Sequence, residues 1–130
     1  MSTPSKEDII RLKIARAMNS LSAAEKMLEY NFTNAALNRL YYACFYAATA
    51  LLFSKDIFTK THSGVKQMLG LHFISTGILS RDLGKFYATI FDNRLASDYD
   101  DFATADYEMV KEFSINTNEF VLSVQKILDL

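Results

Sequence analysis

Arg94, Asp98 and Tyr99 stand within the stretch RLASDYDDF, and Arg39 is almost the sole charge in the otherwise apolar run AALNRLYYACFYAATALLF. A guanidinium offers a fork of donors that matches a phosphate, whereas a guanidinium buried alone is costly to desolvate and needs an acid, a carbonyl or an open cleft. Tyr42 follows Arg39 on the same helical face. His62, in KTHSG, stands at a helix start between Lys60 and Lys66, where free backbone N–H groups favour anions. Two arrangements fit these residue types. In one, Arg39 or Arg94 pairs with Asp98 as an internal clamp completed by tyrosine hydroxyls. In the other, Arg39, Tyr42, Lys60, His62, Arg94 and Asp98 line a polar cleft that meets a phosphate or an RNA backbone. Arg94, Asp98, Tyr99 and His62 are then the candidates for catalysis.

Other chemistries lack their residues. With only two His and one Cys in the chain, a metal site is not expected. No glycine-rich phosphate loop or nucleophile elbow is present, and no cofactor is expected. A plainer role for His62 is a loop histidine that caps a helix. His72 falls on the apolar side of its helix and reads as a core histidine.

The elements that position these residues read as helices. Ser5 ahead of Lys6, Glu7 and Asp8 suits a helix start, and Ile10, Ile14, Ala17, Leu21, Ala24 and Leu28 then form an apolar stripe. Asn31 suits a tight turn, and Thr33 or Asn34 a new cap, so a second helix runs from about residue 33 to 54 and forms an antiparallel hairpin with the first. It is apolar on nearly every side, the mark of a central helix. Thr61 or Ser63 caps a short third helix bearing Val65, Met68, Leu69, His72 and Phe73, which ends before Gly77. Ser80 caps a fourth with Leu83, Phe86, Tyr87, Ile90 and Phe91 inward; the same spacing carried on to Arg94 aims that arginine inward too. Thr104 starts a fifth, with Tyr107, Val110, Phe113, Thr117, Phe120, Val121, Val124 and Leu128 on its buried side. No stretch alternates as a strand does. The expected fold is all-α: an up-and-down bundle of four long helices and one short, forming a single domain over residues 1–130.

Composition agrees. Half of the residues are hydrophobic, with only four Gly and one Pro, which favours long regular elements. A net charge of −1 supplies no overall field for nucleic acid or an anionic membrane, so RNA binding must rest on a local patch. The lone Cys44 excludes an intramolecular disulfide and suits a reducing cytoplasm. The first residues lack the pattern of a signal peptide. Leu40 to Phe53, the longest nearly apolar run, falls short of the roughly 20 residues that span a bilayer.

Three stretches in order, AALNRLYYACFYAATALL, KTHSGVKQ and FDNRLASDYDDF, resemble the HEPN domain family, in particular its small prokaryotic stand-alone members. The resemblance covers nearly the whole chain. It implies an all-α bundle, commonly a homodimer, often acting beside a minimal nucleotidyltransferase in a toxin–antitoxin-like pair. Many such proteins are metal-independent ribonucleases whose motif is an Arg followed after four to six residues by a His. Arg94 matches the arginine; Ser97, Asp98, Tyr99, Asp100 and Asp101 stand where the histidine would be. An imidazole exchanges protons near neutral pH, whereas an ordinary aspartate is already ionised there. His62, arriving from another helix, is the candidate for the missing base.

The reading that results is a nucleotide- or RNA-associated HEPN-type module, the partner of a minimal nucleotidyltransferase. The alternatives are a metal-independent ribonuclease toxin with a non-standard site, in which Arg94 stabilises the phosphorane, and a purely structural helical bundle. A homodimer is expected because so small a bundle has limited means to cover every face of its second helix.

Overall fold

The computed structural model describes residues 3–99 and 104–130, and of Tyr99 the backbone alone. Asp100 and Asp101, singled out above, lie outside the described residues. The elements are α1 (Lys6–Glu29), α2 (Thr33–Ser54), α3 (His62–Leu69) continuing into a π-helical turn (Gly70–Ile74), α4 (Arg81–Tyr99) and α5 (Tyr107–Leu128). The described residues hold no strand, and the fold is an all-α bundle.

Each start has a local cause. The Ser5 hydroxyl accepts from Asp8 N, and the Asp8 carboxylate accepts from Ser5 N, both at 3.1 Å, a reciprocal capping box. The whole apolar stripe expected for α1 is buried. The turn to α2 runs through Asn31 at φ 65°, a left-handed conformation that asparagine tolerates. Phe32, rather than Thr33 or Asn34, occupies the cap of α2, without a side-chain bond. The Asn34 side chain reaches elsewhere. Its carboxamide oxygen accepts from Ala105 N at 2.7 Å, which ties the start of α2 to the approach to α5. The Thr61 hydroxyl caps α3 through Gly64 N at 2.9 Å, and Ser80 caps α4 through Leu83 N at 3.2 Å.

Two expectations for the last helix are corrected. Asp106 caps α5, accepting from Met109 N at 3.0 Å, so the helix begins at Tyr107 and not at Thr104. A carboxylate at that position meets the positive end of the helix as well as its free N–H groups. Tyr107 consequently lies in the first turn and is exposed. His72 lies in the π-helical turn at partial exposure, outside the buried core.

α2 is the axis of the molecule. It packs on α1, α3, α4 and α5, most extensively on α1. Ala36, Ala43, Ala47, Ala48 and Ala50 are completely buried in it, and side chains this small let neighbouring helices approach closely. The Cys44 thiol reaches the buried Thr117 hydroxyl of α5 at 3.7 Å. Burial pushes that thiol up to about 12, against the lowering effect of Thr117, so it stays protonated and unreactive. Neighbouring helices thus cover most of α2 within one chain. The edge left half-buried is Arg39, Tyr42, Tyr46, Thr49 and Phe53, spaced alternately by three and four residues as one face of a helix.

Close packing around α2 makes added volume costly. Ala47→Leu is expected to lower unfolding free energy by about 1–3 kcal/mol or more, measured by urea denaturation. Stability equal to wild type would show that the space around this helix is looser than its buried alanines indicate.

Candidate functional site

Three elements converge at one end of the half-buried α2 edge. α2 contributes the consecutive Tyr41 and Tyr42, α3 brings His62 as its first residue, and α4 brings Arg94 and Asp98 near its end. Tyr41 is completely buried, and its hydroxyl lies 2.7 Å from Nδ1 of His62. Its neighbour Tyr42 turns the other way and stays half-exposed, as two consecutive helical residues must.

The guanidinium of Arg94 lies over both tyrosines, 5.1 Å from the Tyr41 ring centre and 5.7 Å from that of Tyr42. These are cation–π distances, and an arginine gains more from such contacts where water is excluded. One Arg94 Nη donates to the Tyr42 hydroxyl at 3.5 Å, a long contact. Its Nε is 2.9 Å from an Asp98 carboxylate oxygen, yet makes no aligned hydrogen bond, so the attraction between the two is chiefly of charge. Arg94 is the more enclosed partner, its side chain 16% exposed against 38% for Asp98.

His62 stacks on Phe45 with ring centres 4.4 Å apart and takes the edge of Tyr42 at 5.7 Å. Its enclosure lowers the imidazole pKa below 6.5, and the charge of Arg94 lowers it further. The ring is therefore neutral at pH 7. Burial pushes the Tyr41 hydroxyl up to about 12, in spite of Arg94, and the Tyr87 hydroxyl is raised well above its usual range by burial as well. Neither phenol is a base near neutral pH. What the arrangement presents is a fixed cation, a neutral imidazole and a wall of aromatic rings.

Arg39 also lies over Tyr42, its guanidinium 5.0 Å from the ring centre. It donates from Nε and an Nη to the Asn38 carboxamide oxygen at 3.1 and 2.8 Å, so Asp98 pairs with Arg94 and not with Arg39. Lys66 lies over Phe91 at 4.8 Å, adding a cation to the rim. Lys60 does not join the cluster: exposed in the segment before α3, it borders a separate cleft with Lys13. Tyr99 closes α4 with its side chain outside the described part. Among the described residues no three His, Cys, Asp or Glu side chains gather as metal ligands, and no helix is long and apolar enough to cross a membrane.

Sequence reasoning missed Tyr41 and Phe45 as parts of the site, since both read as core. The available signal was Phe45 one turn beyond the tyrosine pair, which makes an aromatic shelf on α2. That His62 would rest on it is a tertiary contact without a local trace.

A helical bundle that aims an arginine and a histidine at one aromatic face is the class of molecule these helices define. Residues 10–128 match the profile of the HEPN domain, and the chain belongs to the HEPN domain family. It is 34% identical over 124 residues to a UPF0332 protein of Thermotoga maritima, covering 95% of this chain and 94% of that one. It is 37% identical over 99 residues to "Putative toxin MJ0142" of Methanocaldococcus jannaschii, covering 76% of this chain and 65% of the relative. A second protein of that organism, carrying the same kind of name, is 36% identical over 90 residues, or 69% of this chain and 67% of its own length.

The lowered pKa of His62 has a consequence for stability. Between the unfolded value near 6.5 and the lower folded one, the unfolded chain binds more protons, so stability falls as pH drops through that window. Urea titrations between pH 8 and 5 should show that decline in wild type and a smaller one in His62→Gln, which cannot be protonated. Identical pH dependence in the two proteins would mean that the imidazole is no more shielded than in the unfolded chain.

Proposed function

We propose that this chain is the toxin-type member of a two-protein module, that it acts on RNA at the Arg94–His62 face without a metal or cofactor, and that a minimal nucleotidyltransferase is its partner. The observation that carries the reading is the meeting of a neutral imidazole and an arginine on the Tyr41–Tyr42 pair. The imidazole comes from α3 and not from the segment after Arg94, so Asp98 in that segment does not leave the site without a base. The toxin names of the two Methanocaldococcus relatives agree with this role. The protein works in the cytoplasm as a homodimer.

The chemistry follows from the charge states. In the tautomer whose Nδ1–H donates to the Tyr41 hydroxyl, Nε2 of His62 carries the free lone pair and accepts the proton of a ribose 2′-hydroxyl. The 2′ oxygen forms its bond to phosphorus as the bond to the 5′ oxygen breaks. Arg94 stabilises the charge that develops on the phosphoryl oxygens, and the imidazolium returns its proton to the departing 5′ oxygen. A 2′,3′-cyclic phosphate and a 5′-hydroxyl result. Tyr41 orients the ring and exchanges no proton itself.

Purified protein in excess chelator should cleave single-stranded RNA to these ends. Arg94→Ala should lose about 10²–10³-fold in rate, in line with removal of a transition-state donor, and the rate should rise with pH about a midpoint below 6.5, the ordinary histidine value. Cleavage that survives in His62→Ala would remove His62 from the mechanism, and cleavage that survives in Arg94→Ala would remove the site.

The Arg94–Asp98 pair at 2.9 Å favours a second reading, in which the arginine is held as a clamp and the module binds without cleaving. A double-mutant cycle on the pair separates the two. Strong coupling in folding stability, with RNA binding and cleavage unchanged in the variants, would establish the clamp; weak coupling with lost binding or cleavage would establish the open site.

A further inference from the structure

The half-buried edge of α2 does not end at Tyr46. It runs on through Thr49 to Phe53, about 16 Å beyond Tyr42 at ~1.5 Å per residue, and there it forms the floor of a cleft of about 250 Å³ bordered by Lys13, Lys60, Ile57 and Phe58. Phe58 meets Phe53 edge to face at 5.2 Å and is 69% exposed. A large aromatic ring left this open contributes little to the core. The ammonium of Lys13 lies 5.7 Å from the Phe53 ring centre. Among the described residues no acid lines the cleft, and the carboxylate nearest in sequence, Asp56, is engaged by Lys6 at 3.1 Å.

An open aromatic face flanked by ammonium groups suits one ligand chemistry in particular. Bases of a single strand stack on aromatic rings irrespective of sequence, while lysines beside them meet the phosphates. An acidic peptide would use the lysines and leave the ring idle; an apolar helix would use the ring and bury the lysines unpaired. Lys13 supports the choice, since burial and the nearby Arg16 lower its pKa, a condition that an arriving phosphate would relieve. The edge between the cleft and the Arg94 cluster carries Tyr46 and Thr49 and no charge.

We infer that the Lys13–Phe58–Lys60 cleft is a second contact for single-stranded RNA, in which a base stacks on Phe58 and the adjoining phosphates meet the two lysines, so that one strand lies along α2 from Arg94 to Phe58. The inference rests on the RNA reading of the Arg94 cluster and extends it by a remote subsite. Binding there adds affinity for longer strands and leaves the reacting centre untouched.

The test uses full-length protein and fluorescently labelled single-stranded RNA, as a dinucleotide and as a 12-mer, with anisotropy for binding and denaturation midpoints to confirm folding. Phe58→Ala and Phe58→Leu should each bind the 12-mer about tenfold more weakly. Lys13→Gln with Lys60→Gln should weaken it further and reduce the dependence of log affinity on log salt by one to two. The dinucleotide should be bound and cleaved as by wild type. If these variants hold the 12-mer as wild type does while Arg94→Ala loses it, the subsite is wrong and the proposed function stands. If they lose it while Arg94→Ala and His62→Ala cleave normally, the subsite stands and the catalytic reading falls. Wild type that fails to bind the 12-mer, or variants that change only the sedimentation of the protein, would overturn the inference; the second result would assign the cleft to contact between copies.

Discussion

Tyr41 has no exposed surface, and the desolvation of its hydroxyl is made tolerable by His62 at 2.7 Å. A buried phenol without a partner costs on the order of 1–3 kcal/mol, so this hydroxyl constrains where α3 begins. The imidazole that answers it is in turn fixed by Phe45 on one face and the edge of Tyr42. The same Tyr41 ring carries the Arg94 guanidinium. One side chain of α2 therefore sets the positions of a histidine from α3 and an arginine from α4, and the geometry of the site follows from the packing of the bundle.

The cap at Thr61 serves the same end. His62 is the first residue of α3, and its place depends on the Thr61 hydroxyl holding Gly64 N. A β-carbon on Gly64 would stand 2.2 Å from the Thr59 hydroxyl and 2.7 Å from that of Thr61, so the absence of a side chain there lets the capping loop close. The apolar central helix and the polar loop ahead of α3 are thus parts of one device. α2 supplies the wall, and the cap turns the histidine toward it.

Much of this was legible in the sequence where the cause is local. The stripes of α1 and α4 follow the helical period and are buried as read, and Ser5, Thr61 and Ser80 cap as their types suggest. Misreadings arose where several residues competed for one role. Thr104 and Asp106 both suit a helix start, and the carboxylate holds it; Asn34 suits a cap, and a distant backbone N–H claims it. In the site, periodicity pointed Arg94 inward but gave no account of what it would meet. The pair Tyr41–Tyr42 has one member inside and one at the surface, and which of them takes the histidine depends on where α3 lies. Lys60 shares a sequence neighbourhood with His62, yet a helix start separates them in space.

Asp98 in place of a motif histidine alters the site less than the substitution alone suggests. It sits in the final described turn of α4, where the negative end of the helix dipole disfavours an anion and favours the cation of Arg94. The pair also has the less favourable order, with the basic residue ahead of the acid, and lacks an aligned hydrogen bond at Nε. Of the two partners Asp98 is the more exposed, so water already shares its charge and its withdrawal from Arg94 leaves no buried anion behind. The guanidinium has a second set of contacts besides the carboxylate, the rings of Tyr41 and Tyr42 beneath it. On the proposed reading a phosphate would offer the same charge complementarity to the guanidinium, and Asp98, the more exposed partner, is the part of the cluster that would yield to it.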